Sequence, residues 1–134
     1  LRNDFKIAAK VWGDTEETDA NKNWIALHGW ADNAASFDRL APMLLSAGAS
    51  SVVCLDCAGH GLSDHRSFYH DIDNVVDIVH VAQLLGWTNF SLIGHSLGGC
   101  VAQAVAAAAP ERVVRVVALE SFGWYSQEGG KKQL

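Results

Sequence analysis

Hydrophobic residues along the chain form short runs that alternate with longer segments of helical spacing. Each run is bounded by glycine or polar residues, a pattern typical of strands buried on both faces of a sheet. The clearest runs are residues 24–27, 51–55, 90–93 and 113–119. An earlier run, residues 5–12, alternates loosely between apolar and polar positions before Gly13-Asp14, and it predicts a first strand.

Three segments between the later runs carry apolar side chains at helical spacing. These predicted helices are residues 34–47, 72–85 and 97–109. Pro42 either opens the main part of the first helix or kinks it. Asp71 or Asp73 is expected to cap the second helix and Gly86 to end it, and Pro110 ends the third.

The alternation of strands and helices predicts an α/β fold with a mostly parallel sheet, right-handed crossovers and helices on both faces. In such a sheet, ligands bind at the carboxyl ends of the strands. Glycine-rich and polar segments follow four of the predicted strands: residues 28–30, 56–63, 94–99 and 120–121. All four segments are therefore expected at one edge.

Composition and charge narrow the classes of function. The chain has 134 residues, 49% of them hydrophobic, and a formal net charge of −5, which favours a globular domain. No basic run is longer than Lys131-Lys132, so nucleic acid is not an expected partner. The pattern shows neither a membrane span nor a secretory leader, and a cytoplasmic location is expected.

Three cysteines, Cys54, Cys57 and Cys100, are an odd number for a disulfide framework and favour a reducing compartment. Cys54 and Cys57 are followed by His60 and His65, but too few residues separate the two pairs for a zinc site. We therefore expect neither a metal nor a redox centre there.

The sequence Gly94-His95-Ser96-Leu97-Gly98 has the form G-x-S-x-G and lies between a predicted strand and a predicted helix. This context is typical of a nucleophile elbow, a strained turn that presents a serine hydroxyl at the ligand edge. A serine nucleophile needs a base and fixed donors for the oxyanion that it generates. We expect the Leu97 N–H to be one donor and the Trp30 N–H the other, with Gly29 allowing the backbone to approach.

These residues resemble the α/β-hydrolase superfamily from about residue 23 to residue 121. Three motifs occur in order: His28-Gly29-Trp30, Asp56-x-x-Gly59-His60-Gly61-x-Ser63 and Gly94-His95-Ser96-Leu97-Gly98-Gly99. Residues 27–38 are closer still to the subgroup called serine hydrolase-like proteins. The resemblance implies an α/β-hydrolase fold, Ser96 as nucleophile, Trp30 and Leu97 as oxyanion donors, and no cofactor.

The same resemblance implies a small-molecule acyl or ester substrate, which we expect His28, Gly29 and His95 to contact. The 56–63 loop is expected to shape the site without taking part in the chemistry. A carbon–carbon bond hydrolase or lyase of the same fold is an alternative, because it would share the same turn.

The catalytic set that the resemblance implies is incomplete in this sequence. The superfamily has the order nucleophile, acid, histidine, and all six histidines precede Ser96. The later carboxylates are Glu111, Glu120 and Glu128, of which Glu120 follows the last predicted strand and is the candidate acid.

We therefore interpret residues 1–134 as a partial, amino-terminal piece of a hydrolase domain, with an exposed strand at the edge of its sheet. The piece alone is expected to be inactive. The alternative is a non-catalytic remnant that binds or regulates.

Overall fold

The structure is a computed structural model that describes residues 5–16 and 19–123. In the described part of the chain, five strands form one sheet in the order β1-β3-β2-β4-β5. The strands are β1 (Ala9–Gly13), β2 (Asn23–Leu27), β3 (Ser51–Leu55), β4 (Phe90–His95) and β5 (Val113–Leu119). The α-helices are α1 (Leu40–Ser46), α2 (Asp71–Leu84) and α3 (Leu97–Ala108), and two 3₁₀ helices cover Ala20–Lys22 and Ala34–Phe37.

The central strands are parallel and end at the same level. Leu27 of β2 pairs with Leu55 of β3 on one side and with Gly94 of β4 on the other. Helices connect β2 to β3, β3 to β4 and β4 to β5, as parallel pairing requires. The register therefore brings the segments that follow β2, β3 and β4 together at the carboxyl edge.

Side chains of the sheet alternate between two hydrophobic layers. Ile25 and Leu27 pack with α2 and α3 on one face, while Ala26 packs with Phe37 and Ala41 on the other. Full burial of an Ile or Leu side chain contributes about 1.5–3 kcal/mol. The predicted α/β fold, with a mostly parallel sheet and helices on both faces, is confirmed.

The first strand begins later than the predicted run of residues 5–12. β1 begins at Ala9 and runs antiparallel to β3. Between β1 and β2 the described chain contains only a three-residue 3₁₀ helix, which provides no crossover helix of the kind that joins parallel neighbours. The sheet is therefore mostly parallel, with β1 as its one antiparallel strand among the described residues.

The predicted helix over residues 34–47 is divided into a 3₁₀ helix and α1. The Asn33 side chain caps the 3₁₀ helix by accepting a hydrogen bond from the Ala35 N–H. Pro42 lies in the first turn of α1. Proline has no N–H to bond the carbonyl of Asp38, and its ring would collide with that carbonyl in a continuous helix.

The amino-terminal cap of α2 is His70, so both predicted caps are wrong. Asp73 instead accepts a hydrogen bond from the His70 N–H, at 3.1 Å. The carboxylate still satisfies a backbone donor at the start of the helix.

β5 lies at the edge of the sheet among the described residues, and its side chains are more exposed than those of the central strands. Val114, Val117 and Leu119 keep 36–39% of their surface accessible. Across the described part of the chain, no helix has the length and apolar character needed to cross a membrane.

Candidate active site

Ser96 occupies the sharp turn between β4 and α3. Its backbone has φ 50° and ψ −116°, outside the regions that a serine normally adopts. Such a conformation costs about 1–3 kcal/mol and persists only where neighbours impose it. The Ser96 N–H donates to the Leu119 carbonyl at 2.9 Å, and the Gly99 N–H donates to the Ser96 carbonyl at 3.0 Å.

The glycines around Ser96 let three backbone segments meet. A Cβ on Gly94 would lie 2.2 Å from the Gly98 carbonyl oxygen, and a Cβ on Gly98 would lie 2.2 Å from the Leu27 carbonyl oxygen. Any side chain at either position would therefore push β4, α3 and β2 apart.

The loop after β2 passes directly beside the exposed Ser96. A Cβ placed on Gly29 would be 3.5 Å from Ser96 Cβ and 3.1 Å from His95 Nδ1. Trp30 follows, with 80% of its surface exposed, and the chain then turns at Ala31, where φ is 58°. Among the described residues, neither the Trp30 N–H nor the Leu97 N–H has a hydrogen-bond partner.

His28 joins the loop after β2 to the loop after β3. Its ring is 1% exposed, and Nε2 accepts a hydrogen bond from the Cys57 N–H at 3.0 Å. The proton then lies on Nδ1, which donates to the Gly29 carbonyl at 2.7 Å. Burial lowers the pKa of His28, so the imidazole is neutral at pH 7. Both ring nitrogens of this expected substrate contact are therefore used within the protein.

Asp56 organises the loop after β3. It is 7% exposed, and its carboxylate accepts hydrogen bonds from the Ala34 N–H at 2.7 Å and the Leu62 N–H at 2.8 Å. A Cβ on Gly61 would lie 2.1 Å from Asp56 Oδ2. Ser63 Oγ donates to the Asp56 carbonyl at 2.5 Å. These contacts give the carboxylate a structural task away from Ser96.

A cavity of about 580 Å³ lies beside the Ser96 turn. Its lining comes from the loop after β2, from the segment between β3 and the first turns of α2, and from the start of α3. Trp30 and Leu97 both line it, whereas Ser96 does not. The cavity therefore lies on the α2 side of the turn, next to the two expected oxyanion donors.

No side chain within the described residues bonds the Ser96 hydroxyl. His95 precedes it and is exposed. Glu120 directly follows β5 with φ 49°, so it lies at the same sheet edge, one residue after the carbonyl that accepts the Ser96 N–H. Glu111 lies at the opposite edge, where its carbonyl accepts a hydrogen bond from Asn89, and Glu128 lies outside the described residues.

The cysteines show no arrangement for metal or redox chemistry within the part of the chain that the structure describes. Burial raises the pKa of both Cys54 and Cys57 to about 12, so these thiols stay protonated at neutral pH. Within that part, no three His, Cys, Asp or Glu side chains are grouped to hold a metal ion.

Sequence reasoning did not assign Tyr69 or His65 to the site, although both line the cavity. They belong to an irregular segment with no recognised motif, and only folding brings it next to Trp30. The only signal in the sequence was its place after a strand, at the edge where ligands bind.

The family comparison agrees with the observed fold. The α/β-hydrolase-fold family matches residues 25–129, and the chain belongs to this family. Its relatives carry hydrolase or hydrolase-like names, which support a hydrolase-type function.

Among those relatives are serine hydrolase-like proteins. The chain is 40% identical over 125 residues to the one from Dictyostelium discoideum and 41% identical over 122 residues to the one from mouse. These matches cover 91% and 89% of this chain but 34% and 37% of the relatives. This chain therefore spans about a third of their length.

A solved structure of a hypothetical protein from Pseudomonas aeruginosa is 42% identical and superimposes with a TM-score of 0.82. The match covers 95% of this chain and 44% of that one.

Proposed function

We propose that this chain is the nucleophile-bearing part of a serine hydrolase that cleaves an ester or a related acyl compound. The observation that carries the proposal is the strained Ser96 turn, with the Gly29 backbone against it and the Trp30 and Leu97 N–H groups, which have no partner among the described residues, nearby. Strain of this kind is characteristic of functional positions. In this proposal the serine would be presented at the edge where α/β sheets bind ligands.

The proposed reaction has two steps. In the first, Ser96 Oγ attacks the carbonyl carbon while its proton passes to a base, and the leaving alcohol departs with that proton. In the second, water loses a proton to the base and attacks the acyl-enzyme, which releases the acid and restores Ser96. Trp30 and Leu97 donate their N–H groups to the oxyanion in both steps. The base would come from outside the described residues, with Glu120 as the candidate acid.

Labelling with a fluorophosphonate probe tests the nucleophile. We expect the complete gene product to be labelled and Ser96→Ala to abolish the labelling. Ser121→Ala is the matched control, because Ser121 lies at the same edge with its hydroxyl 3.3 Å from Cys100 Sγ, and it should leave labelling unchanged. Labelling that persists in Ser96→Ala would place the nucleophile elsewhere.

A non-catalytic role is the second candidate, favoured by the absence of any group bonded to the Ser96 hydroxyl in the described part of the chain. A complete gene product that takes up no probe would support that role.

The 134-residue chain alone is expected to hydrolyse no p-nitrophenyl ester above background. Turnover removed by Ser96→Ala would instead reveal a base within the chain. Carbon–carbon bond cleavage and the cytoplasmic location stay predictions.

A further inference from the structure

The cavity beside Ser96 is lined by several polar residues, but most of the surface that a ligand would contact there is apolar. Four imidazoles and a tyrosine take part in the lining: His28, His60, His65, His70 and Tyr69. What such a cavity binds depends on which of their polar atoms are already bonded to the protein.

The two innermost imidazoles have no free nitrogen. Both nitrogens of His28 are bonded to the backbone, as described above. His60 Nε2 accepts a hydrogen bond from the Ala31 N–H at 3.3 Å, and His60 Nδ1 lies 3.2 Å from the Ala58 carbonyl. The two rings are 5.1 Å apart at a tilt of 57°. What these two rings can offer a ligand in the cavity is therefore their carbon atoms.

Tyr69 is exposed and yet held in place. It is 53% exposed, its Oη accepts a hydrogen bond from the Arg66 N–H at 3.1 Å, and it lies 3.2 Å from His65 Nδ1. The ring also packs on Gly59, where a Cβ would be 2.3 Å from Oη. A side chain fixed before binding loses little entropy when a ligand arrives. With its hydroxyl already bonded, Tyr69 offers chiefly its ring.

We propose that this cavity binds an uncharged aromatic group of the substrate, with the Tyr69 ring as a fixed wall and Trp30 at the same cavity. The inference rests on the proposed function, in which Ser96 attacks the carbonyl next to that group. Asp71 is the carboxylate of the lining and disfavours an anionic ligand there. Trp30 and Leu97, whose N–H groups are the expected oxyanion donors, both line the cavity.

Ligand-observed fluorine NMR of the complete gene product tests the cavity without requiring catalysis. The probe is 4-fluorobenzyl alcohol, compared with 4-fluorobenzoate as its anionic analogue and cyclohexylmethanol as a non-planar competitor. We expect the alcohol to bind at least about fivefold more tightly than the benzoate, and cyclohexylmethanol to compete about fivefold more weakly than unlabelled benzyl alcohol, as one aromatic contact predicts.

Substitutions locate the binding. Tyr69→Leu should weaken binding of the aromatic alcohol about fivefold and remove the preference over cyclohexylmethanol. Tyr69→Phe retains the ring and should retain the preference. Phe68→Leu is the matched control, because Phe68 is 79% exposed in the same segment and does not line the cavity. Phe68→Leu should leave the binding of both alcohols unchanged.

Equal affinity for the aromatic and non-planar alcohols, or unchanged binding in Tyr69→Leu, would overturn the proposal. Ser96→Ala should bind the alcohol like the parent, so the cavity and the nucleophile are tested separately. Binding without fluorophosphonate labelling would support the cavity and reject the proposed hydrolysis. Labelling without binding would support the proposed hydrolysis and reject the aromatic site in the cavity.

Discussion

The two sides of Ser96 are built differently. Toward β2 and β3, buried side chains bond the loops to each other: His28 joins Gly29 to Cys57, and Asp56 joins Ala34 to Leu62. Toward β5, the side chains are more exposed, and the Leu119 carbonyl provides the backbone contact to Ser96.

This difference shows which half of the site is fixed by hydrogen bonds within the described chain. The expected oxyanion donors lie on the side with buried, satisfied polar groups, where the hydrogen bonds exclude alternative loop positions. Glu120, the candidate acid, lies on the side of the exposed strand. In the described chain, preorganisation is therefore strongest at the donors.

The largest effect on stability is expected from Asp56→Ala, which removes the hydrogen bonds that join the loops after β2 and β3. Two backbone N–H groups, the buried one of Ala34 and the partly buried one of Leu62, would lose their charged acceptor, at a cost of about 4 kcal/mol in the free energy of unfolding. Urea denaturation measures it. Asp38→Ala is the control, since Asp38 pairs with Lys10 at an exposed position, and its cost should stay below about 1 kcal/mol. Equal losses for the two variants would contradict the structural task given to Asp56.

A second pair of variants compares the strands on either side of the β4–β5 ladder. Ile93 and Val117 are register partners, but Ile93 is 4% exposed and Val117 is 36% exposed. Ile93→Ala should lower the free energy of unfolding by about 3 kcal/mol, because it leaves a cavity in the core.

The matched change Val117→Ala removes partly exposed surface and should cost less than about 1 kcal/mol in the same urea experiment. A loss of unfolding free energy in Val117→Ala as large as that in Ile93→Ala would show that the Val117 side chain is buried.

The smallest effect concerns pH and His28. Its pKa in the folded protein lies below the ordinary value of about 6.5, because burial disfavours the charged ring. The unfolded chain therefore binds the proton more readily, and stability is lost as pH falls below about 6.5.

We expect the unfolding free energy of the parent to fall more between pH 7.5 and 5.5 than that of His28→Gln. The difference is at most about 1.4 kcal/mol per pH unit. Parallel pH profiles of the two proteins would exclude His28 as the cause of the loss of stability at low pH.

Much of the fold follows from local patterns in the sequence. The apolar runs located β2, β3, β4 and β5, and the helical spacing located α2 and α3 to within one or two residues at each end. Burial on both faces imposes an unbroken apolar run on a central strand, and a helix imposes its own spacing, so neither depends on distant contacts. The turn at Ser96 was also marked by a local pattern of glycines, although Gly98 is required by a 2.2 Å approach to the Leu27 carbonyl oxygen on a strand distant in sequence.

Other features depend on residues that are distant in sequence. The direction of β1 was decided by its pairing with β3. The break between Ala34–Phe37 and α1 is different, because the Asn33 cap and Pro42 are local to it. The cavity was decided by the segment that carries Tyr69, whose ring rests on Gly59.

The sequence by itself determined the order of the elements, the serine between two glycines and the glycine loop expected to face it. Only the tertiary structure decided which polar side chains remain available to a ligand. The physical reason is that hydrogen bonds such as those of His28 and His60 join residues 29 positions apart, and their satisfaction is a property of the folded chain.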